Sequence, residues 1–149
     1  MKGMSIGDLV VGQQARVAKT ISESDVYLYA GVTGDLNPAH VNEEYAAGTR
    51  FGHRIAHGML SAGLISAVIG MQLPGPGTIY MGQELKFLAP VYPGDTVTAT
   101  VTVKELDAVR NRATLETVCT NAQGRVLISG QALVMPPVKV EARETGSTL

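Results

Sequence analysis

The chain has 149 residues, of which 45% are hydrophobic and 17% charged, and its formal net charge is −1. This length predicts one domain, which we place at residues 1–140, followed by a flexible polar tail at residues 141–149. The balanced charge, without a Lys/Arg cluster, argues against nucleic acid as a partner. The longest apolar segment, residues 58–71, is too short to cross a membrane.

The composition also bears on compartment and assembly. The single cysteine, Cys119, and the lack of a secretory segment at the start predict a cytoplasmic protein. Cys119 lies in an apolar segment, and we expect an inert core thiol there. The low charge density predicts that another subunit covers part of the surface.

The first third of the chain carries signals for a strand and two short helices. Residues 15–21 alternate apolar and polar side chains, which predicts a strand. Ser22 then caps a helix that ends at Gly34, with an acid in the capping-box position. Residues 42–47 predict a second, shorter helix.

The remainder predicts one long helix and then strands. Residues 58–71 are apolar on every side, so we expect protein to surround this helix. The strands that follow are expected to form an antiparallel sheet with one covered face. The fold class is therefore α+β, with a curved antiparallel sheet wrapped around a long central apolar helix. The predicted strands are residues 79–89, 96–103, 113–120 and 126–135, and in the first of them the odd-numbered side chains are expected to share one face.

An acid and a base stand five residues apart, at Asp35 and His40. The Asn37-Pro38 pair between them favours a turn, so we expect no helix through residues 35–40. A carboxylate and an imidazole on such a bent segment can converge on one substrate atom. Two other interpretations stay open, a turn-forming role for Asp35 and a buried structural role for His40.

Three motifs make the chain recognisable, at residues 35–40, 55–59 and 83–91. Over about residues 6–136, the chain resembles the MaoC-like family of (R)-specific enoyl-CoA hydratases. The resemblance implies a hot-dog fold and a hydro-lyase that converts trans-2-enoyl-CoA of short to medium chain length into (R)-3-hydroxyacyl-CoA. It further implies a homodimer or dimer of dimers, a place in fatty acid or polyhydroxyalkanoate metabolism, and no cofactor, since coenzyme A is part of the substrate.

The resemblance also implies roles for individual residues. Asp35 and His40 would form the catalytic pair that activates water. Gly58 would stabilise the thioester oxygen, because a backbone N–H at a helix start is unpaired and lies at the positive end of the dipole. Ser66 would orient the carboxylate of Asp35, although it is also open to interpretation as a small residue that permits close helix packing.

Further residues are expected to contact substrate. Asn37 would shape the loop and reach the substrate, and His57 would position the oxyanion loop next to it. The resemblance implies that Ile69 and Val134 set the length of acyl chain that the enzyme accepts. Contacts with the phosphates of coenzyme A are expected from cations near the site in sequence, with scattered surface charge as the alternative; these cations are Arg50, Arg54 and Lys86.

Several competing interpretations are weighed by the residues that they require. His40, His53 and His57 could hold a metal, but no acid stands at the spacing of a zinc protease motif, so we predict no metal site. A thioesterase of this fold usually carries an acid on the central helix, and residues 58–71 have none. Acyl-carrier-protein or branched dicarboxylic enoyl thioesters remain alternative substrates. A non-catalytic acyl-CoA-binding subunit is a further alternative, against which the acid–base pair counts.

Overall fold

A computed structural model describes residues 1–139. The expected flexible tail at residues 141–149, and the last residue of the expected domain, lie outside the described residues. After a 3-10 turn at Ile6–Asp8, the described elements are one strand, four helices in succession and then four strands. They are β1 (Gln14–Thr20), α1 (Glu23–Thr33), α2 (Pro38–Val41), α3 (Glu43–Ala47), α4 (Gly58–Met71), β2 (Ile79–Phe87), β3 (Thr96–Asp107), β4 (Arg112–Thr120) and β5 (Val126–Met135).

The five strands form one antiparallel sheet in the order β1-β3-β4-β5-β2. In β3 the valines and alanine from Val97 to Val103 are fully buried, whereas the threonines between them are half-buried. This strict period of two gives the sheet one covered face, as predicted. Cys119 lies on that face in β4, where burial raises the pKa of its thiol to about 11.

The helix α4 packs against the covered face, mainly on β3. Ile65, Val68 and Ile69 are at most 1% exposed there. The predicted α+β hot-dog architecture, a sheet around one apolar helix, is confirmed. The expectation that protein surrounds the helix on all sides is not met within one chain, because Met59 and Met71 are more than half exposed.

Strand β2 differs from its predicted pattern. Tyr80 pairs with Val134 and Gly82 with Leu133, so Met81 is an extra residue that forms a bulge. One extra residue moves the side chains that follow to the opposite face. Ile79 therefore points away from the face that holds the later odd-numbered residues of the strand, and the prediction of a single face was wrong.

The local signals in the first third are confirmed. The Ser22 hydroxyl accepts a hydrogen bond from the Asp25 N–H, and the Asp25 carboxylate accepts one from the Ser22 N–H, which is a capping box. Gly34 ends α1 in the left-handed conformation with φ of 79°. In residues 1–139, no helix is long and apolar enough to span a bilayer.

Candidate active site

The loop after α1 is shaped by its own polar side chains. The Asp35 carboxylate accepts a hydrogen bond from the Asn37 N–H at 3.2 Å, and the Asn37 side chain accepts one from the Ala39 N–H at 3.0 Å. Asn37 thereby caps α2, which begins at Pro38. The expectation of no helix through residues 35–40 holds as far as Asn37 and is wrong from Pro38 onwards, because proline is well suited to the first position of a helix. Asp35 thus adopts the turn-forming role that the sequence left open.

His40 lies on this short helix and is fixed by the next segment of chain. Its Nδ1 atom is 2.7 Å from the main-chain oxygen of Ile55. A carbonyl oxygen only accepts, so Nδ1 carries the hydrogen and, in the neutral ring, Nε2 is free to accept a proton. Asp35, half-exposed, and His40 each place a polar atom within 4.8 Å of the other. The acid and the base therefore lie close together, as the sequence predicted for a bent segment.

His57 completes this group. Its side chain is only 2% exposed, and its Nε2 donates to the main-chain oxygen of Asp35 at 2.9 Å. The ring centroid lies 3.9 Å from that of His40 and 4.6 Å from that of Tyr29. His57 is absent from the lining of the adjacent cavity. His57 therefore supports the acid and the base from behind. Its buried side chain is not exposed to the cavity, so the structure gives no support to the expected contact with substrate.

Asp35, His40 and His57 are also the residues that could hold a metal ion in the described part of the chain. His53, which the sequence grouped with the other two histidines, instead bonds to Glu43 on the surface at 2.8 Å. Coordination through Nε2 of His57 would require loss of its hydrogen bond to Asp35. Nδ1 of His40 and Nε2 of His57 are therefore already engaged in holding the loop together.

Gly58 is the first residue of α4. Its N–H has no carbonyl earlier in the helix to accept it, as holds for the first turn of any helix. The ring of Phe87 lies against its Cα, and a Cβ atom here would be 2.6 Å from two ring carbons. A side chain at this helix start would therefore force the Phe87 ring or the backbone to move.

A cavity of about 390 Å³ joins the start of α4 to His40. The volume falls in the range of small-molecule sites, and most of the lining is apolar. Ser61 and Phe87 belong to the lining but were missed from the sequence. Ser61 follows Gly58 by three residues, so helical spacing alone places it on the same side of α4. The lining residues are His40, Arg50, Phe51, Ile55, Ala56, Gly58, Met59, Ser61, Phe87, Leu88, Ala89, Pro90, Val91 and Ile128.

Three expected site residues lie elsewhere. Ser66 is exposed on α4, and within residues 1–139 of one chain no hydrogen bond joins it to Asp35. Ile69 and Val134 are at most 1% exposed in the closed core between α4 and the sheet. Neither lines the cavity, so an acyl chain in that cavity would not touch them.

The three expected cations differ in their availability. Arg54 is 14% exposed and bonds to Glu23 and Glu43, and the hydrogen bond to Glu23 raises its pKa further. Arg54 is therefore engaged in a structural network. Arg50 is exposed and lines the cavity, and Lys86 is exposed on β2.

Comparison with known proteins places this geometry in a family. Residues 10–123 match the family model described as a MaoC like domain. The (R)-specific enoyl-CoA hydratase of Rhodospirillum rubrum is 61% identical over 132 residues, which cover 89% of this chain and 91% of that protein.

Two solved structures share the fold at 43% identity. The unliganded R-hydratase PhaJ1 of Pseudomonas aeruginosa superimposes with a TM-score of 0.86, over 99% of this chain and 96% of that one. The (R)-hydratase of Aeromonas caviae, described as involved in PHA biosynthesis, has a TM-score of 0.84 over 87% and 98%. With a family model that covers most of the chain, and a relative of this identity along nearly its whole length, the chain belongs to the family of MaoC-like domains.

Proposed function

We propose that this protein is a hydro-lyase that reversibly hydrates trans-2-enoyl-CoA to (R)-3-hydroxyacyl-CoA. The observation that carries the proposal is the convergence of Asp35 and His40 at the cavity that also contains the start of α4. The name of the Rhodospirillum rubrum relative supports the same activity. A non-catalytic binding subunit would have no use for a free imidazole nitrogen beside a carboxylate.

The reaction needs an activated water, a proton for Cα and a stabilised thioester oxygen. A water between the Asp35 carboxylate and Nε2 of His40 gives up a proton to this pair as its oxygen bonds to Cβ. The electron pair of the double bond moves towards the thioester carbonyl, whose developing negative charge the Gly58 N–H stabilises. The pair then returns a proton to Cα, and the thioester carbonyl re-forms.

We further propose a homodimer, or a dimer of dimers, in which the edge strand β2 and the exposed face of α4 meet a second copy. An edge strand has unpaired backbone groups that favour pairing with another chain. The apolar side chains Ile79, Met81 and Met59 on these elements are each about half exposed. Ser66 lies on the same face of α4, so its role as the partner of Asp35 depends on the arrangement within the dimer.

The apolar cavity supports an acyl thioester as substrate. Arg50 and Lys86 are the proposed contacts for the phosphates of coenzyme A, since both are exposed near the site. Asn37 maintains the loop and contacts substrate. Ile69 and Val134 do not line this cavity, and their proposed role is to limit the acyl chain to short and medium lengths indirectly, because they keep the core between α4 and the sheet closed. We also propose a cytoplasmic location and the supply of (R)-3-hydroxyacyl-CoA to fatty acid or polyhydroxyalkanoate metabolism.

The test is hydration of crotonyl-, hexenoyl- and octenoyl-CoA, measured as the loss of absorbance of the conjugated thioester. We expect turnover on all three and the R enantiomer of the product by chiral analysis. The corresponding acyl-carrier-protein thioesters, assayed in parallel, distinguish the alternative carrier. Absence of turnover on every coenzyme A substrate, with tight binding retained, would favour a non-catalytic subunit instead.

A further inference from the structure

The imidazole of His57 holds several parts of the site in place. Its Nε2 is bonded to the main-chain oxygen of Asp35, and its ring stacks on the ring of His40. The next residue, Gly58, begins α4. A small tilt of this ring would therefore displace the acid and the base relative to the helix start.

Two buried side-chain polar atoms among residues 1–139 have no hydrogen-bond partner: Nδ1 of His57 and Oγ of Ser61. Both side chains are at least 98% buried. Buried polar groups are nearly always paired, so each unpaired one calls for an explanation. Here one belongs to His57, the residue that caps α4, and the other to Ser61 in the first turns of the same helix.

The two atoms are complementary in hydrogen bonding. Because Nε2 of His57 donates to a carbonyl oxygen, Nδ1 of the neutral ring is an acceptor. The hydroxyl of Ser61 is a donor whose hydrogen rotates freely, and the side chain moves between staggered positions about its Cα–Cβ bond. A hydrogen bond between them would therefore satisfy both atoms.

We propose that Ser61 is a positioning residue for the hydration reaction, since its buried hydroxyl donates a hydrogen bond to Nδ1 of His57 and fixes the ring that joins Asp35 to His40. This rests on the proposed function for its effect on turnover, but the hydrogen bond itself does not. The resulting chain runs from the Ser61 hydroxyl through the imidazole of His57 to the main-chain oxygen of Asp35.

Substitutions at Ser61 distinguish hydrogen bonding from packing. Ser61→Ala removes the donor, and Ser61→Cys keeps a side chain of similar shape with only a weak donor. We expect both variants to lower kcat for crotonyl-CoA about tenfold, as when a reacting group is slightly misplaced, with KM little changed. The matched control is Ser24→Ala on the exposed surface of α1, which should retain wild-type kcat. Reducing buffer keeps Ser61→Cys from oxidation, because the Cys119 thiol contacts the Ser61 main chain.

A spectroscopic measurement on the wild-type protein tests the bond without any assay. The chain has three histidines, so His53→Gln and His40→Gln assign the ring nitrogen signals in ¹⁵N NMR. We expect Nδ1 of His57 to give the signal of an unprotonated, hydrogen-bonded nitrogen in the wild type. In Ser61→Ala that signal should move towards the position of an unbonded nitrogen.

Either of two results would overturn the proposal. One is an Nδ1 signal that is the same in wild type and Ser61→Ala, and the other is wild-type kcat in Ser61→Cys. If the wild-type protein fails to hydrate crotonyl-CoA, the proposed function fails, while the ¹⁵N signal still decides whether the hydrogen bond exists.

Discussion

Nε2 of His57 lies 2.9 Å from the main-chain oxygen of Asp35, across 22 residues of sequence. The loop that holds the acid is thereby attached to the residue that precedes α4. His40 is attached to the same segment through the main-chain oxygen of Ile55. The geometry of the site is therefore set by two long-range hydrogen bonds to backbone carbonyls. The first uses only the main chain of Asp35 and does not depend on its side chain, whereas the second uses the side chain of His40.

Asp35→Asn and His40→Gln should each lower kcat for crotonyl-CoA at least about a hundredfold, because each removes a group that exchanges protons with water. In the first variant the new amide oxygen can still accept from the Asn37 N–H. In the second the new amide N–H can still donate to the Ile55 oxygen, so the loop should keep its conformation in both. The control is His53→Gln, which changes an exposed histidine bonded to Glu43. Turnover and circular dichroism are compared for all three, and near-wild-type kcat in either site variant would contradict the assignment.

Gly58→Ala should lower both stability and turnover. The added Cβ would meet the Phe87 ring at 2.6 Å, so the ring or the helix start must move, at a cost of about 1–3 kcal/mol in the free energy of unfolding. A Phe87→Ala background removes the clash, and the penalty of Gly58→Ala should be smaller there. Gly31→Ala in α1, where nothing lies within 4 Å of the new Cβ, should instead stabilise by up to about 1 kcal/mol. Urea unfolding measures all of these changes, and an equal penalty in both backgrounds would exclude the clash with Phe87.

Local signals in the sequence were sufficient for most of the fold. The capping box of Ser22 and Asp25 depends on residues three apart, and the alternation in β3 depends on neighbours two apart. Such patterns are visible in any single sequence. The bulge at Met81 was not, because the shift depends on which residue of β5 pairs with each residue of β2.

The acid and base of the site, and a positioning role for His57, were predictable from the sequence, but the contacts through which the supporting residues act were not. Asp35 and His40 are close in sequence, and the resemblance to hydratases singled them out. The bond from His57 to Asp35 and the unpaired hydroxyl of Ser61 depend on tertiary contacts that no local pattern encodes. The ion pairs of Arg54, which was expected to contact the phosphates of coenzyme A, were not predictable for the same reason, since its acidic partners come from α1 and α3.

Asp25 should make stability depend on pH in the acid range. The hydrogen bond from Lys19, assisted by the Ser22 N–H, lowers the pKa of Asp25 from 3.8 to about 2. A lowered folded-state pKa stabilises the native state above the unfolded pKa, and that stabilisation is lost as pH falls from near 4 towards 2. Asp25→Asn should therefore be less stable than wild type at neutral pH, with a difference that shrinks below about pH 4. Urea unfolding across this range measures the difference, and a difference independent of pH would contradict the assignment.

Substitutions of Arg50 and Arg54 should affect different properties, the first the binding of coenzyme A and the second the stability of the fold. Arg50→Met should raise KM for crotonyl-CoA several-fold with kcat retained, because an exposed cation at the cavity would contact phosphate. KM for the crotonyl thioester of N-acetylcysteamine, which has no phosphate, should not change. Arg54→Met should leave both KM values near wild type and lower the free energy of unfolding by about 1 kcal/mol, as expected for partly exposed ion pairs. An equal rise in KM for both thioesters in Arg50→Met would remove phosphate binding as its role.

Ile69→Ala should test whether the closed core limits the acyl chain. Ile69 is 1% exposed, and truncation should cost about 2–5 kcal/mol in unfolding free energy and leave a cavity beside α4. If the acyl chain runs towards this space, kcat/KM for octenoyl-CoA should rise relative to crotonyl-CoA. Ile65→Ala is the matched control, since Ile65 lies on the same helix and is fully buried. It should be destabilised to a similar degree without a change in that ratio. A shift in both variants would indicate general loosening of the core, and a shift in neither would place the acyl chain in the cavity between His40 and Ile128.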